Sequence, residues 1–440
     1  MNQTYLEHIK KILHEDFDAY VNTLSLPAYR GLRVNSLKLS ADEFEKISPW
    51  KLELSSFHAN SYYISREERG IGKHPYHIAG LIYLQEPSAS SVADQLDVQP
   101  GNWVLDLCAA PGGKSSQLAA SLHHTGLLVS NEIDRKRAMI LLSNLERMGV
   151  GENIITSSKP DVLCREMAGC FDRVLVDAPC SGEGMFKINE QAMIDWSMEH
   201  VCACAVRQKH ILDSAYEALK TNGILVYSTC TYAIEENEAV VDAFLCDHPD
   251  MELLMIDADF GRAGFDHGCV DGSKVRRIFP MDRGEGHFMA KLIKHGDAHS
   301  ASLRTIRSAC PKEAEAFFEN QLGTMPAYTM MIQDKLYIMN HEPLQLKKTT
   351  VLRQGILAGE IVKKRFEPHH HFYMAAQNES RLLNRYEMNE EECARFLHGD
   401  VMAFHQRGYY AMCWQGHVLG FAKGDGTYLK NKLPKGLRLT

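Results

Sequence analysis

The chain has 440 residues, 45% of them apolar and 24% charged, with a formal net charge of −8. That length suits two or three domains of roughly 100–200 residues each, and the composition is that of a globular protein, not a disordered or fibrous one. The negative balance excludes a protein that holds nucleic acid by bulk charge alone, and no apolar run approaches the roughly 18 residues of a membrane span.

The N-terminus, Met1-Asn-Gln-Thr-Tyr-Leu-Glu-His8, lacks a signal-peptide pattern, so a cytoplasmic protein with no membrane partner is expected. Residues 1–24 space their apolar side chains helically (Leu6, Ile9, Ile12, Leu13, Phe17) and predict a short amphipathic helix. Arg30 to Lys38 predicts a strand carrying basic residues, Asp42 to Ile47 a helix and Ser61 to Ser65 another strand. Gln85-Glu-Pro-Ser88 is a turn, followed by a helix from Ala89 to Leu96.

The stretch that organises the rest is Trp103 to Gln117. Val104, Leu105 and Leu107 form an apolar run like a buried parallel strand, broken by Pro111-Gly112-Gly113. Ser115 and Ser116 are candidate caps for a helix over Gln117 to Leu122. Strand, glycine turn and helix open a nucleotide-binding α/β unit, because glycines let a ligand approach the backbone closely. The turn is neither the Gly-x-Gly-x-x-Gly dinucleotide pattern nor a phosphate loop. The next apolar run, Gly126 to Glu132, ends on an acid twenty positions after Gly112, where such folds place a carboxylate on ribose hydroxyls. An adenosine compound without a pyrophosphate fits, and S-adenosylmethionine is one. An ordinary strand–turn–helix is the alternative from this stretch alone.

Beyond it, a helix over Arg135 to Met148 stops at Gly149, and Asn153 to Thr156 and Phe171 to Asp177 predict strands. A helix from Gln208 to Leu219 stopping at Asn222-Gly223, a strand from Ile224 to Thr231 and a helix from Glu235 to Cys246 follow. Alternation of this kind predicts a doubly wound, mostly parallel sheet, with Phe279 to Leu292 supplying closing antiparallel strands. Asp297 to Ser308 is expected to be a linker, 309–440 mixes helix and strand signals, and Tyr409 to Leu439 predicts a small β-barrel. Two basic segments stand out on the acidic chain: six basic residues against Glu360 in Lys347 to Arg365, and Lys423, Lys430, Lys432, Lys435 and Arg438 against Asp425 in the tail. They suit addressed patches and equally a solvated surface.

The twelve cysteines are scattered and include no Cys-x-x-Cys, so reduced thiols are expected. Cys202 and Cys204, one residue apart in a helical stretch, face different directions, and no metal is expected. In an open α/β sheet ligands bind beyond the carboxyl ends of the strands. Four such ends carry chemistry here: Cys108–Lys114, Glu132, Asp177–Cys180 and Cys230. A single cysteine there is more often core, but two beside polar strand ends favour function.

Cys108-Ala-Ala-Pro-Gly-Gly-Lys114, Asp177-Ala-Pro-Cys-Ser-Gly-Glu-Gly-Met-Phe186 and Tyr227-Ser-Thr-Cys-Thr231 resemble the motifs of the Nop/Sun (RsmB/NOP) family of RNA cytosine-C5 methyltransferases. Arg33-Val-Asn-Ser, His74-Pro-Tyr-His-Ile-Ala-Gly80 and Gln85-Glu-Pro-Ser88 are similar to its RsmF-type branch, which modifies small-subunit ribosomal RNA. Gly416-His-Val-Leu-Gly420 with Lys430 to Arg438 resembles that branch's C-terminal PUA-like module. The resemblance implies a Rossmann-like class I methyltransferase domain (76–295), a small α+β N-terminal RNA-binding unit (1–75), an α+β C-terminal subdomain with its linker (296–380) and a PUA-like β-barrel (381–440). It implies S-adenosylmethionine held by Cys108, Ala109, Ala110, Pro111, Gly112, Gly113, Lys114, Glu132 and Asp177. It also implies Cys230 as the nucleophile on cytosine C6, Cys180 assisting release, and Asp177 on the base edge. The partner implied is RNA, 16S ribosomal RNA or the small subunit, bound by a monomer. Where the family often has an aspartate after the third strand, this chain has Ser157-Ser-Lys-Pro-Asp161, and Asp161 is left unassigned. Lys187, taken as an exposed lysine after a loop, is a candidate for an RNA phosphate.

A DNA cytosine methyltransferase uses the Pro-Cys thiol as nucleophile and has no need of the Thr-Cys one, so the second cysteine argues for RNA. A transfer-RNA cytosine-C5 methyltransferase and a catalytically silent ribosome-assembly factor are the alternatives. A cysteine hydrolase is weaker, since no histidine sits on an obvious neighbouring strand end.

Overall fold

The computed structural model describes residues 2–297, 303–375 and 382–439. The N-terminal helical stretch is two helices, Gln3–Leu13 and Phe17–Leu24, and not one, because a 3₁₀ turn at His14–Asp16 interrupts it. Tyr5, Ile9, Ile12 and Leu13 are buried against a cluster containing Phe186, Trp196 and Tyr232. Strands β1 (Gly31–Val34), β2 (Leu52–Leu54), β3 (Ser61–Ile64) and β4 (Ile82–Leu84) make an antiparallel sheet in the order β2-β3-β1-β4. The helix Ala41–Ile47 starts from a Ser40–Glu43 capping box. β2 escaped the sequence reading because its three residues are largely exposed and show no apolar run.

The central sheet is built from β5 (Trp103–Asp106), β6 (Leu127–Asn131), β7 (Asn153–Thr156), β8 (Phe171–Asp177) and β9 (Leu219–Thr229), all parallel. β10 (Met251–Leu254), β11 (Arg262–Ala263), β12 (Arg276–Ile278) and β13 (His287–Lys294) follow, and β13 runs antiparallel beside β9. The order β11-β12-β13-β9-β8-β5-β6-β7 makes the sheet doubly wound and puts its switch point between β5 and β8. Alternate side chains enter opposite cores. Leu105, Val129 and Val174 pack with the helices Pro160–Glu166, Met198–Ala218 and Glu238–Asp247, whereas Val104, Leu128 and Leu175 pack with Gly113–Ser121 and Arg135–Met148.

Four local expectations are corrected. The helix after the glycine turn begins at Gly113, since Gly112 takes the left-handed conformation (φ +110°) and launches it early. Ser115 and Ser116 therefore lie inside the helix and cap nothing. The helix expected from Gln208 begins ten residues earlier, at Met198, and runs into β9 at Leu219, so Asn222-Gly223 falls within the strand and is not a stop. The stretches 89–96 and 235–246 each open with a 3₁₀ turn, Pro87–Ser90 and Ile234–Glu236, before a shorter α-helix. Between β12 and β13, Phe279 to Gly286 is a turn.

In the C-terminal region β14 (Tyr328–Ile332), β15 (Lys335–Met339), β17 (Ile356–Val362) and β18 (Arg365–Pro368) form an antiparallel sheet in that order. The strand between them, β16 (Val351–Gln354), instead pairs antiparallel with β7 and becomes an edge of the central sheet. Part of the expected linker, 298–302, lies outside the described residues; Thr305 forms a bridge with Leu344. The last sheet comprises β19 (Arg385–Met388), β20 (Met402–Ala403), β21 (Arg407–Trp414), β22 (His417–Asp425) and β23 (Tyr428–Asn431), in the order β19-β21-β22-β23-β20. Its Met388, Met412 and Leu419, with Phe396 of the helix Glu390–His398, share one core with Leu32, Val34, Phe44 and Tyr76 of the N-terminal unit.

Candidate active site

The switch point brings Asp106, at the end of β5, close to Asp177, at the end of β8. Asp106 is fully buried, which pushes its carboxyl up to about 7. One oxygen accepts from Ser115 Oγ at 2.6 Å, and the other, Oδ1, has no hydrogen-bond partner among the described residues. Such an orphaned acceptor calls for a donor or cation beside it. Sequence reasoning passed over Asp106 because its reading of the motif began at Cys108.

A cavity of about 320 Å³ lies at these strand ends, lined by Cys108, Ala110, Glu132, Asp177, Cys180 and Cys230 among others, and Asp106 lines the cavity that adjoins it. Glu132 is 3% exposed, pairs with Arg137 at 3.1 Å and accepts the Asp134 N–H at 3.0 Å. Gly112 packs the turn against the helix Arg135–Met148: a Cβ there would come within 3.1 Å of Leu141, and its φ already disfavours one. The buried Glu132 carboxylate in this cavity, with the orphaned Asp106 and Gly113 of the glycine turn in the adjoining one, fit an adenosine group carrying a sulfonium and an amino group that spans both. Burial, then Asp106 and Asp177, push the Cys108 thiol well up, so it stays neutral and serves as wall. Asp161 lies at the start of the helix Pro160–Glu166, where it pairs with Arg165 at 3.4 Å. The loop Ser157–Ser158 is tied by Asn131, which donates to Ser158 O at 3.1 Å, and by Ser158 Oγ, which accepts from Thr350 N at 2.8 Å.

Both thiols stand at the edge of this cavity. Cys230 follows β9 and Cys180 follows β8, and their sulfurs are 3.3 Å apart. The hydrogen bond with Cys230, then burial, hold the Cys180 thiol well above the ordinary range. The loop bearing Cys180 is pinned in three ways. Ser181 N donates to Glu236 at 3.0 Å, Gln208 bridges Pro179 O at 3.1 Å and Glu236 at 2.8 Å, and Gly184 N donates to Cys230 O at 2.8 Å. A Cβ on Gly184 would meet Glu285 O at 2.9 Å and Cys230 O at 3.0 Å, so only glycine lets the two loops close on each other. Glu183 is buried and lifted to about 7; it accepts from Trp196 Nε1 at 2.8 Å and Tyr232 N at 2.9 Å.

Asp177 accepts from Lys114 Nζ at 2.7 Å and from Ser228 Oγ at 2.6 Å. Burial works to raise its pKa, but Lys114 outweighs that and the carboxyl lies below the ordinary range. Burial likewise works against the Lys114 ammonium, and Asp177 restores it to above its usual value. Lys114, expected on the cofactor side, thus reaches the carboxylate between the two sides. Next to this pair lies a second cavity of about 290 Å³, lined by Tyr83, Gln85, Lys114, Asp177, Cys230, Glu285 and His287 among others. Cys108, Ala110, Asp177 and Cys230 line both cavities.

His287 is the residue that sequence reasoning missed, and it overturns the statement that no histidine sits on a neighbouring strand end. β13 runs antiparallel, so its first residue arrives at the carboxyl edge of the parallel strands. The signal was present, in that an antiparallel closing strand was predicted, but its direction was not used. Lys187 is a correction of a different kind. Its side chain is 6% exposed and pairs with Glu285 at 3.2 Å, so it is not a free surface lysine.

A doubly wound sheet with a carboxylate at its second strand end, a glycine turn at its first and a cavity leading to two thiols is that of an S-adenosylmethionine-dependent methyltransferase. The chain belongs to the 16S rRNA methyltransferase RsmB/F family, whose model matches residues 93–293. The N-terminal domain of 16S rRNA methyltransferase RsmF matches 1–87, the RsmF rRNA methyltransferase first C-terminal domain 316–375, and the methyltransferase RsmF PUA domain 383–439. Ribosomal RNA small subunit methyltransferase F of Shewanella oneidensis is 31% identical, over 99% of this chain and 97% of the relative. The Aeromonas salmonicida protein of the same name is 31% identical over 98% and 96%. Among solved structures, a methyltransferase homolog protein from Pyrococcus horikoshii is 30% identical with a TM-score of 0.60, covering 67% of this chain and 95% of that one. NSun6 from Pyrococcus horikoshii with SFG shares the fold at a TM-score of 0.59 and 20% identity, over 67% and 99%. Among the described residues no helix is long and apolar enough to cross a membrane.

Proposed function

We propose that the protein methylates C5 of cytosine in RNA, with 16S ribosomal RNA as substrate, through a covalent bond between Cys230 and C6 of the base. The observation that carries this is the pair of sulfurs 3.3 Å apart at the junction of the two cavities, beside an ionised, half-buried Asp177. The relatives' names supply the ribosomal substrate.

Cytosine C5 is a weak nucleophile, and thiolate addition at C6 turns the ring into an enamine whose C5 can attack. Cys180 keeps its proton and, by donating it toward Cys230 Sγ, stabilises the negative charge on the nucleophile before addition. Asp177, held by Lys114 and Ser228, orients the base edge, and the Lys114 ammonium offsets the charge that builds on the ring during addition. S-adenosylmethionine, when bound against Cys108 to Lys114 and Glu132, supplies an electrophilic methyl group. After transfer the C5 proton passes to solvent, the electrons of that bond restore the ring double bond, and the Cys230–C6 bond breaks with its electron pair returning to the Cys230 sulfur, where the Cys180 S–H assists by hydrogen bonding to it. The base has to leave any stack to reach the sulfurs, which favours a looped or splayed target. Residues 1–75 and 381–440 are assigned the grip on RNA, 76–295 the chemistry, and 296–380 the link between them.

Bisulfite sequencing of total RNA from a strain lacking the protein tests the reading. A cytidine in 16S ribosomal RNA that is protected in the parent and converted in the deletion strain is expected. An unchanged methylcytidine profile would overturn it.

A further inference from the structure

His287 has no role in the steps above, yet it lines the base cavity with Asp177, Lys114 and Cys230 and is 7% exposed. Its surroundings fix which ring nitrogen carries the proton. Glu86 accepts four hydrogen bonds: from Ser88 N and Glu285 N on one oxygen, both at 3.0 Å, and from Ser88 Oγ at 2.5 Å and Ala89 N at 3.0 Å on the other. Burial raises the Glu86 carboxyl above its ordinary value, but three backbone N–H groups, which can only donate, are aimed at its oxygens and oppose that rise, and in the carboxylate form Glu86 accepts on every side. Ser88 Oγ spends its one hydrogen on Glu86. The 3.0 Å contact between Ser88 Oγ and His287 Nδ1 can then only be a bond donated by the imidazole N–H. With Nδ1 protonated and the ring neutral, Nε2 is a bare lone pair, and it makes no hydrogen bond among the described residues.

We propose that the Glu86–Ser88–His287 chain presents this lone pair to the exocyclic amino group of the target cytosine and so sets the choice of cytosine over uracil. The inference rests on the cytosine-C5 reading above and names the base edge that reading leaves open. Cytosine carries two hydrogens on its amino nitrogen, and the cavity offers two acceptors for them, His287 Nε2 and the Asp177 carboxylate. Uracil has a carbonyl oxygen at the same place, which would set lone pair against lone pair. Discrimination of this sort is steep, because the wrong ligand leaves buried polar groups unpaired. The acceptor must also never become a donor. Burial, then Lys114, depress the His287 ring to about 3, so it stays neutral throughout the physiological range. The same depression makes it too weak a base to take the C5 proton, so its task is recognition.

The test uses the full-length protein and synthetic RNA spanning the position mapped by bisulfite sequencing. That position is made as cytidine, as uridine, or as zebularine riboside, whose ring lacks the amino group. Methyl transfer is followed as kcat/KM, and cofactor binding is measured in parallel. Wild-type protein should prefer cytidine over both other bases. His287→Phe, which keeps a buried ring without the acceptor, should lower kcat/KM on cytidine about 10- to 100-fold, leave zebularine nearly unaffected and shrink the cytidine-to-uridine ratio accordingly. Should that variant fail to bind cofactor, Ser88→Ala decides. It keeps the imidazole but frees its tautomer, and the same narrowing is expected. Equal losses on all three bases would show that the ring only packs the cavity, and would overturn the proposal while leaving C5 methylation standing. If wild-type protein transfers no methyl group to cytidine C5, both readings fall together.

Discussion

The two cavities at the strand ends are built differently. The cavity beside Glu132 takes its wall chiefly from the ends of three parallel strands, with Leu107, Cys108 and Ala110 after β5, Asn131 to Ile133 at β6 and Asp177 to Cys180 at β8. The other cavity shares the end of β5, with Asp106, Cys108 to Pro111, Gly113 and Lys114, but adds Tyr83 to Glu86 at the end of β4, Gly184 and Met185 from the loop after β8, and Glu285 to His287 at the start of an antiparallel strand. A cofactor common to a fold class is met by backbone geometry that the class repeats. Under the proposed function, the substrate base is met by side chains contributed from far apart in the chain.

Substitutions can break that contrast, beginning with the residues both cavities share. Cys230→Ala should cut methyl transfer by more than about 10³-fold and form no RNA adduct on a denaturing gel, because addition to C6 cannot start. Cys180→Ala should instead accumulate a Cys230-dependent adduct that survives denaturation, since release is what fails. Adduct in the first variant and none in the second would reverse the roles of the two sulfurs. Next in size, Lys114→Ala should lower kcat/KM by about 10²-fold. It removes the cation that keeps Asp177 ionised against burial, so the Asp177 pKa must rise. Activity needs the carboxylate, which is lost as pH falls through its pKa, so the acid limb of the pH–rate profile should move to higher pH. An unmoved limb would detach Asp177 from the base.

Glu132→Ala should act on one side only. A hydrogen bond to a charged group is worth about 1.5–3 kcal/mol, so calorimetry should find S-adenosylmethionine bound about 10- to 100-fold more weakly. RNA affinity should not change, and equal cofactor affinity would remove Glu132 from the ribose. The smallest effect is expected far from both cavities. In the tail, Lys423 and Lys432 pair with Glu367 and Lys430 with Asp425, so much of that basic charge is already answered within the protein. Lys363 and Lys364 are exposed at the turn between β17 and β18. Replacing both with alanine should weaken RNA binding several-fold and lower the salt slope by about two, with cofactor binding intact. An unchanged slope would show that this turn does not meet phosphate.

The same contrast explains what was legible in the sequence. The strands Asn153–Thr156 and Phe171–Asp177 and the helix Arg135–Met148 sit where periodicity and Gly149 placed them, because neighbouring residues settle those bounds. The thiol motifs were legible for the same reason. His287 and Glu86 were not, since their importance comes from sheet direction and from segments 199 residues apart meeting, and Gln208 was not, since it acts by bridging two loops that the sequence reading treated separately. Lys187 was misjudged because its partner, Glu285, lies on another segment. The early start of the helix Met198–Ala218 escaped notice because Val201, Cys204 and Gln208 form a buried face too sparsely apolar to mark itself.

β16 has a consequence for how the chain comes into being. Translation delivers β7 about two hundred residues before β16 can pair with it, so the nascent methyltransferase sheet has an unpaired strand along one side for most of its synthesis. Unpaired strands are templates for joining other chains. β7 is also short and buried on every residue, and its Ile154 and Ile155 would stand uncovered at that edge until β16 pairs with it. The late arrival of Val351–Gln354 therefore sets the moment at which the growing protein stops being adhesive. Variants that weaken the β7–β16 pairing should announce themselves first as insoluble protein during expression, before any loss of catalytic rate can be measured.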